Sequence, residues 1–79
     1  MMIIKARPSE GGIIDSRRVQ LPVNVLSDGS VQDASHGTIA TLEDWSDSDL
    51  ITIGAAQYEA DEGEFDRLRK AGAAIKTHR

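Results

Sequence analysis

At 79 residues, with no cysteine, 39 % hydrophobic residues and one each of Trp, Tyr and Phe, the chain is one small domain with a thin aliphatic core. That composition excludes a disulfide framework and a thiolate metal site, fits a reducing cytoplasm, and contains no apolar run of the roughly 20 residues a membrane helix needs. The net charge of −4 conceals a division: Val19 to Asp66 holds eleven carboxylates and no Lys or Arg, and all nine basic residues lie outside it.

In chain order, Met2 to Ala6 is a β-branched run closed by Arg7-Pro8, an opening strand, and the N-terminal stretch Met1 to Lys5 has neither the long apolar region nor the small-residue cleavage site of a secretory leader. Gly11-Gly12 marks a turn. From Arg17 to Leu26 apolar and polar residues alternate, with Val19, Leu21, Val23 and Val25 on one face, the strongest strand signal in the chain. Pro22 has no N–H for a ladder and places this strand at an edge, or with that side outward. Ser27-Asp28-Gly29-Ser30 is a turn that returns the chain as Val31-Gln32-Asp33, forming a hairpin.

Two hydroxyl-then-acid signatures follow, Thr41 to Asp44 and Ser46 to Asp49, each with the spacing of a helix cap. They predict a single turn over 42–45 and a main helix from Asp47, with Ile51, Tyr58, Phe65, Leu68 and Ile75 as its apolar stripe. Gly63 either splits this helix or is carried through it. Gly72, after Arg67, Arg69 and Lys70, is its natural stop, and Ala73 to Thr77 is a short last strand or a frayed tail. The predicted fold class is α+β: about three N-terminal strands in a small antiparallel sheet, packed by the C-terminal main helix, in one domain over 1–79.

No residue set supports catalysis. His36 and His78 lack the converging ligands of a metal site, Asp47-x-Asp49 lacks the glycine and glutamate of a calcium loop, and the serines sit in no nucleophile motif. The expectation is a non-enzyme without cofactor or metal. Trp45 reads either as a core plug or as a binding anchor; Tyr58 and Phe65 read as core. The carboxylates are the outstanding feature. Glu59, Asp61, Glu62, Glu64 and Asp66 fall within eight positions without a local counter-ion, and such self-repulsion is useful where the field attracts a basic partner. Glu43, Asp44, Trp45, Asp47, Asp49, Glu59, Asp61, Glu62 and Glu64 are the expected partner-binding residues. Phosphates would be repelled by this surface, so the partner is a basic nucleic-acid-binding protein complex and not nucleic acid itself. A basic patch from Arg17, Arg18, Arg67, Arg69 and Lys70 is the competing nucleic-acid-binding reading, and a small virion or assembly component that self-associates through the sheet edge near Pro22 or the helix stripe is the other; the expected state is a monomer or a weak homodimer.

In length, absence of cysteine, acidic character, the expected α+β layout, the opening Met2-Ile3-Ile4-Lys5-Ala6-Arg7-Pro8 and the cap Asp44-Trp45-Ser46-Asp47-Ser48-Asp49, the chain resembles the phage-borne anti-CRISPR inhibitors of type I systems, such as type I-C. Those inhibitors share no common motif, so the resemblance assigns no residue a role. It implies a phage- or prophage-encoded protein acting in the bacterial cytoplasm, which binds the Cascade surveillance complex stoichiometrically and prevents target-DNA recognition.

Overall fold

The computed structural model describes residues 1–78. It contains β1 (Met2–Glu10), β2 (Ile13–Ile14), β3 (Val19–Val25), β4 (Val31–Asp33), β5 (Ile39–Trp45), β6 (Asp49–Ile53), β7 (Ala56–Ala60), α1 (Glu64–Lys70) and β8 (Lys76–His78). This is a predominantly antiparallel β protein with one seven-residue helix. The expected α+β layout of three strands under a long helix is therefore wrong, and the error has a definite source.

Ile51 and Tyr58, read as neighbours on one face of a helix, are instead directly opposed across the β6–β7 hairpin, in a register that also pairs Leu50 with Glu59 and Ile53 with Ala56. A spacing of seven suits two turns of helix and also an antiparallel pair around a tight turn. Gly54 decides between them. Its φ of 58° at the first central position of the two-residue loop is the II′ geometry whose twist matches flanking strands. The same applies upstream: Thr41 to Asp44 lies in β5, where Ala40, Leu42 and Asp44 alternate inward, so the expected turn over 42–45 is extended.

β1 explains how the sheet closes. Its first half pairs with β3 (Met2↔Val23 to Ala6↔Val19) and its second half with β7 (Ala6↔Ala60 to Ser9↔Gln57). With β3, β4, β5, β6 and β7 neighbours in that order, the path returns to β1 and forms a six-stranded barrel. Closure satisfies most of the edges that an open sheet leaves unpaired. β1 does not end at Arg7-Pro8: Pro8 faces Tyr58 of β7, and its carbonyl accepts the Asp15 N–H at 2.8 Å. Nor is β3 an edge. Pro22 stands where the β3–β4 ladder runs out, and its carbonyl accepts the Ala34 N–H, so the missing donor is not required.

The interior is aliphatic, as expected. Ile4, Val23, Val31, Leu42 and Ile51 from the barrel form one cluster with Phe65 and Leu68 of α1, and Tyr58 and Ile75 pack against it. Seven residues are too few for a helix to hold on propensity. Burial of Phe65 (2 % exposed) and Leu68 (1 % exposed) holds α1 in place, contributing about 1.5–3 kcal/mol each. Gly63 is neither carried through a helix nor placed to split one; it precedes α1 with a φ of 88°. Gly72 is the stop. It donates to the Arg69 carbonyl and Ala73 donates to the Leu68 carbonyl, the paired bonds of a Schellman ending. The chain then forms β8, beside β5 in parallel (Glu43↔Lys76 to Trp45↔His78), and not a frayed tail. No helix among the described residues is long and apolar enough to cross a membrane.

Candidate acidic interface

The turn between β5 and β6 is built by Trp45 and Ser48, whose backbones exchange hydrogen bonds of 2.8 and 3.4 Å around Ser46 and Asp47. Because the ladder continues to the base of this turn, Asp44 and Asp49 are cross-strand partners. α1 lies beside them and extends Arg69 toward the hairpin, where it forms an ion pair with Asp44, the most buried acid of the chain at 4 % exposure. Between hairpin and helix is an open groove of about 560 Å³.

Six of the nine expected contact residues line this groove: Asp44, Trp45, Asp47, Asp49, Glu59 and Glu62. Three are not among its lining residues. Glu43 lies within 2.8 Å of His78 Nε2. Asp61 pairs with Arg18 at 3.0 Å. Glu64 is buried and serves the fold, accepting the Lys5 backbone N–H at 2.6 Å and the Arg67 guanidinium at 2.8 Å. The premise that the acidic run lacks counter-ions holds along the chain and fails in space. Arg7 reaches Glu59 at 2.8 Å, Arg67 reaches Glu64, and Arg69 reaches both Asp44 and Asp66. The Arg7 Nε is buried without a hydrogen bond, 3.9 Å from Asp61 Oδ1.

The arginines do not cancel the groove. Its lining carries six carboxylates, the sixth being Asp66, against Arg7 and Arg69, a surplus of four negative charges. Among the described residues, this groove therefore gathers a local excess of carboxylates over arginines. The local field is felt by Asp49. Burial raises its pKa above the ordinary carboxylate value, and the Asp44 carboxylate across the ladder raises it further, against the opposing pull of Arg69. Asp66 escaped the expected contact set; as the last acid of the Glu59–Asp66 run it was visible, but which face it takes depends on α1.

Trp45 is not a core plug. It is 40 % exposed and stacks on His78, with centroids 3.9 Å apart and planes 6° from parallel, a contact created by the β5–β8 register. It forms one wall of the groove. The competing basic patch is largely committed elsewhere: Arg18, Arg67 and Arg69 are in ion pairs with Asp61, Glu64 and Asp44. His36 sits 3.2 Å from Asp33 in an exposed loop. Among the described residues, no three His, Asp or Glu side chains converge as a metal site.

Comparison of the chain with models of protein families, with curated proteins and with solved structures returned no match, so the groove must be read from its own chemistry.

Proposed function

We propose that the protein is a non-enzymatic binding module that seats a basic surface of a nucleic-acid-binding complex in the groove between the β5–β6 hairpin and α1. The single observation that supports this is the excess of carboxylates lining that groove, six against two arginines among the described residues, beside an exposed tryptophan. Clefts lined by one sign of charge focus the field, raise association rates and reject partners of like charge. Carboxylates around a groove present to a cationic channel what a phosphate backbone presents. Aromatic residues and arginines are enriched in interface centres, and Trp45 offers such a centre a face for a guanidinium.

In its specific form the reading is an anti-CRISPR inhibitor: the groove occupies a cationic surface of the Cascade complex that otherwise holds guide or target, and so blocks target-DNA binding in the cytoplasm of the bacterial host. The residues that carry it are Asp47, Glu62 and Asp66, which are exposed, together with Trp45 and the hairpin partner Asp49. Asp44 acts through Arg69 and sets the shape of the site.

The experiment is binding of the purified protein to a reconstituted type I surveillance complex, with a target-DNA gel shift as the second readout. The triple variant Asp47→Asn, Glu62→Gln, Asp66→Asn should bind at least about tenfold more weakly, and wild-type affinity should fall steeply with salt. Equal binding by the triple variant removes the groove from the contact. No binding by the wild type to any type I complex sinks the anti-CRISPR form.

A further inference from the structure

We infer that His78 is a positioning residue for the acidic groove: stacked on Trp45 and tethered to Glu43, it holds the indole as a platform for an arginine of the basic partner. This role rests on the groove being the seat of such a partner, and it decides which cation the seat prefers.

The need for support follows from where Trp45 stands. Along β5, Ala40, Leu42 and Asp44 point into the barrel, so Glu43 and Trp45 point out. Trp45 is also the last residue of its strand, at the base of the β5–β6 turn, where no barrel interior fixes its rotamer. β8 supplies what the barrel does not. The parallel register sets Trp45 beside His78 and Glu43 beside Lys76, which brings the imidazole flat against the indole.

The imidazole is itself fixed. Its Nε2 donates to Glu43 Oε2 at 2.8 Å; a carboxylate only accepts, so this nitrogen carries the hydrogen. β8 is anchored upstream in turn, since Ile75 packs on the core and the Ala74 N–H donates to the Gly29 carbonyl at 2.8 Å. A Cβ added at Gly29 would stand 3.3 Å from that of Ala74, so glycine is what lets the two backbones come this close.

The same stack leaves one face of the indole for a ligand. Trp45 lines the acidic groove, whereas neither His78 nor Glu43 does, so the imidazole backs the ring on the side away from the groove. Asp47 and Asp49 line the groove with it. An aromatic face beside carboxylates suits a guanidinium better than an ammonium: the planar cation lies flat on the ring while its edge donates to carboxylate oxygens. An indole already immobilised loses little rotamer freedom when such a cation arrives, so more of the contact appears as affinity. Lysine, a compact and strongly hydrated charge, responds to the field of the groove without needing a flat platform.

Trp45 is the single tryptophan of the sequence, so its fluorescence reports the platform alone. Oligoarginine and oligolysine peptides of equal length, titrated into the full chain at low salt, test the role, with affinity and the anisotropy of Trp45 emission as readouts. Wild type should bind oligoarginine at least about threefold more tightly than oligolysine. His78→Ala should remove most of that preference, weakening oligoarginine while oligolysine stays within about twofold, and should lower the anisotropy of the free protein. His78→Phe, which keeps a ring against the indole, should restore both preference and anisotropy. Equal affinity of wild type for the two peptides, with both lost in the Asp47, Glu62 and Asp66 triple variant, overturns the inference and leaves the groove as the seat of a basic partner. An arginine preference that survives His78→Ala overturns it as well. Failure of both peptides to bind overturns the inference and the groove reading together.

Discussion

Two parts of the acidic surface use the same residue type to opposite ends. Along the seam that joins β1 to β7 and α1, Glu59, Asp61 and Glu64 each meet an arginine from the chain ends, and the backbone N–H of Lys5 completes the shell of Glu64. At the tip of the β5–β6 hairpin, Asp47 pairs with no arginine among the described residues, and Asp49 faces another carboxylate. The seam acids are mortar. The tip acids are a field. What separates them is the distance each pairing spans: Arg7 and Glu59 are 52 residues apart and meet because the barrel closes. A block of like charge in a sequence therefore says little about function until it is known which members the fold neutralises.

The comparison is broken most severely at Arg69, which belongs to both regions. Arg69→Met removes one partner of the buried Asp44 and should destabilise the protein by about 1–2 kcal/mol in urea unfolding, less than for a fully buried pair because Arg69 is itself 41 % exposed. Next is Glu64→Gln, which weakens the acceptor of the Lys5 N–H and frees Arg67; a loss of about 1–2 kcal/mol is expected by the same measurement.

Asp49→Asn sharpens the contrast in the other direction. A carboxyl whose folded pKa is raised binds its proton more tightly in the folded state, so its ionisation destabilises the fold as pH rises from the ordinary carboxylate value through the raised one. The asparagine variant should thus be more stable than wild type at pH 7, with the gain vanishing as pH falls below the ordinary carboxylate value. A variant less stable at pH 7 would mean that Arg69 and not Asp44 dominates the environment of Asp49. Asp28 and Asp33 behave in the opposite sense: backbone N–H groups of Ser30 and Ser35 lower their pKa values, so their contribution is full above the ordinary value and fades as pH falls through the lowered one. The smallest effect on stability is expected at the tip. Asp47→Asn and Glu62→Gln should each move unfolding by less than about 0.5 kcal/mol, since both side chains are exposed, while binding to a basic partner falls.

Local features were legible in the sequence. The alternation in β3, the turn at Asp28-Gly29 (Ser30 N–H on Asp28 at 2.9 Å, Gly29 at a φ of 90°) and the stop at Gly72 all follow from residues near one another. So did the placing of Phe65 and Tyr58 with the core. The stretch from Thr41 to Gly63 was misread because its signals are degenerate. Hydroxyl-then-acid spacing caps a helix but also occurs where a strand alternates, and a seven-residue interval suits a helix face or a hairpin pair. The β-branched content of Leu50-Ile51-Thr52-Ile53, with Gly54 after it, was the cue for a strand and a turn. Barrel closure was not legible at all, since it rests on β1 bending to pair with both β3 and β7, a non-local choice that no window of residues records. The candidate site shared that fate in part. Its acids were identifiable, but the loss of Asp61 and Glu64 to the seam, and the gain of Asp66, required the position of α1.

The proposed function rests on an excess of negative charge in the groove between the β5–β6 hairpin and α1. It is tested most directly by an NMR titration of the isotopically labelled protein with an oligoarginine peptide at low salt. Amide shifts concentrated on Trp45 to Asp49 and Glu62 to Asp66 are the predicted result; shifts of equal size at Glu10, Asp15, Asp28 and Asp33 would show a surface without a preferred pole and contradict it.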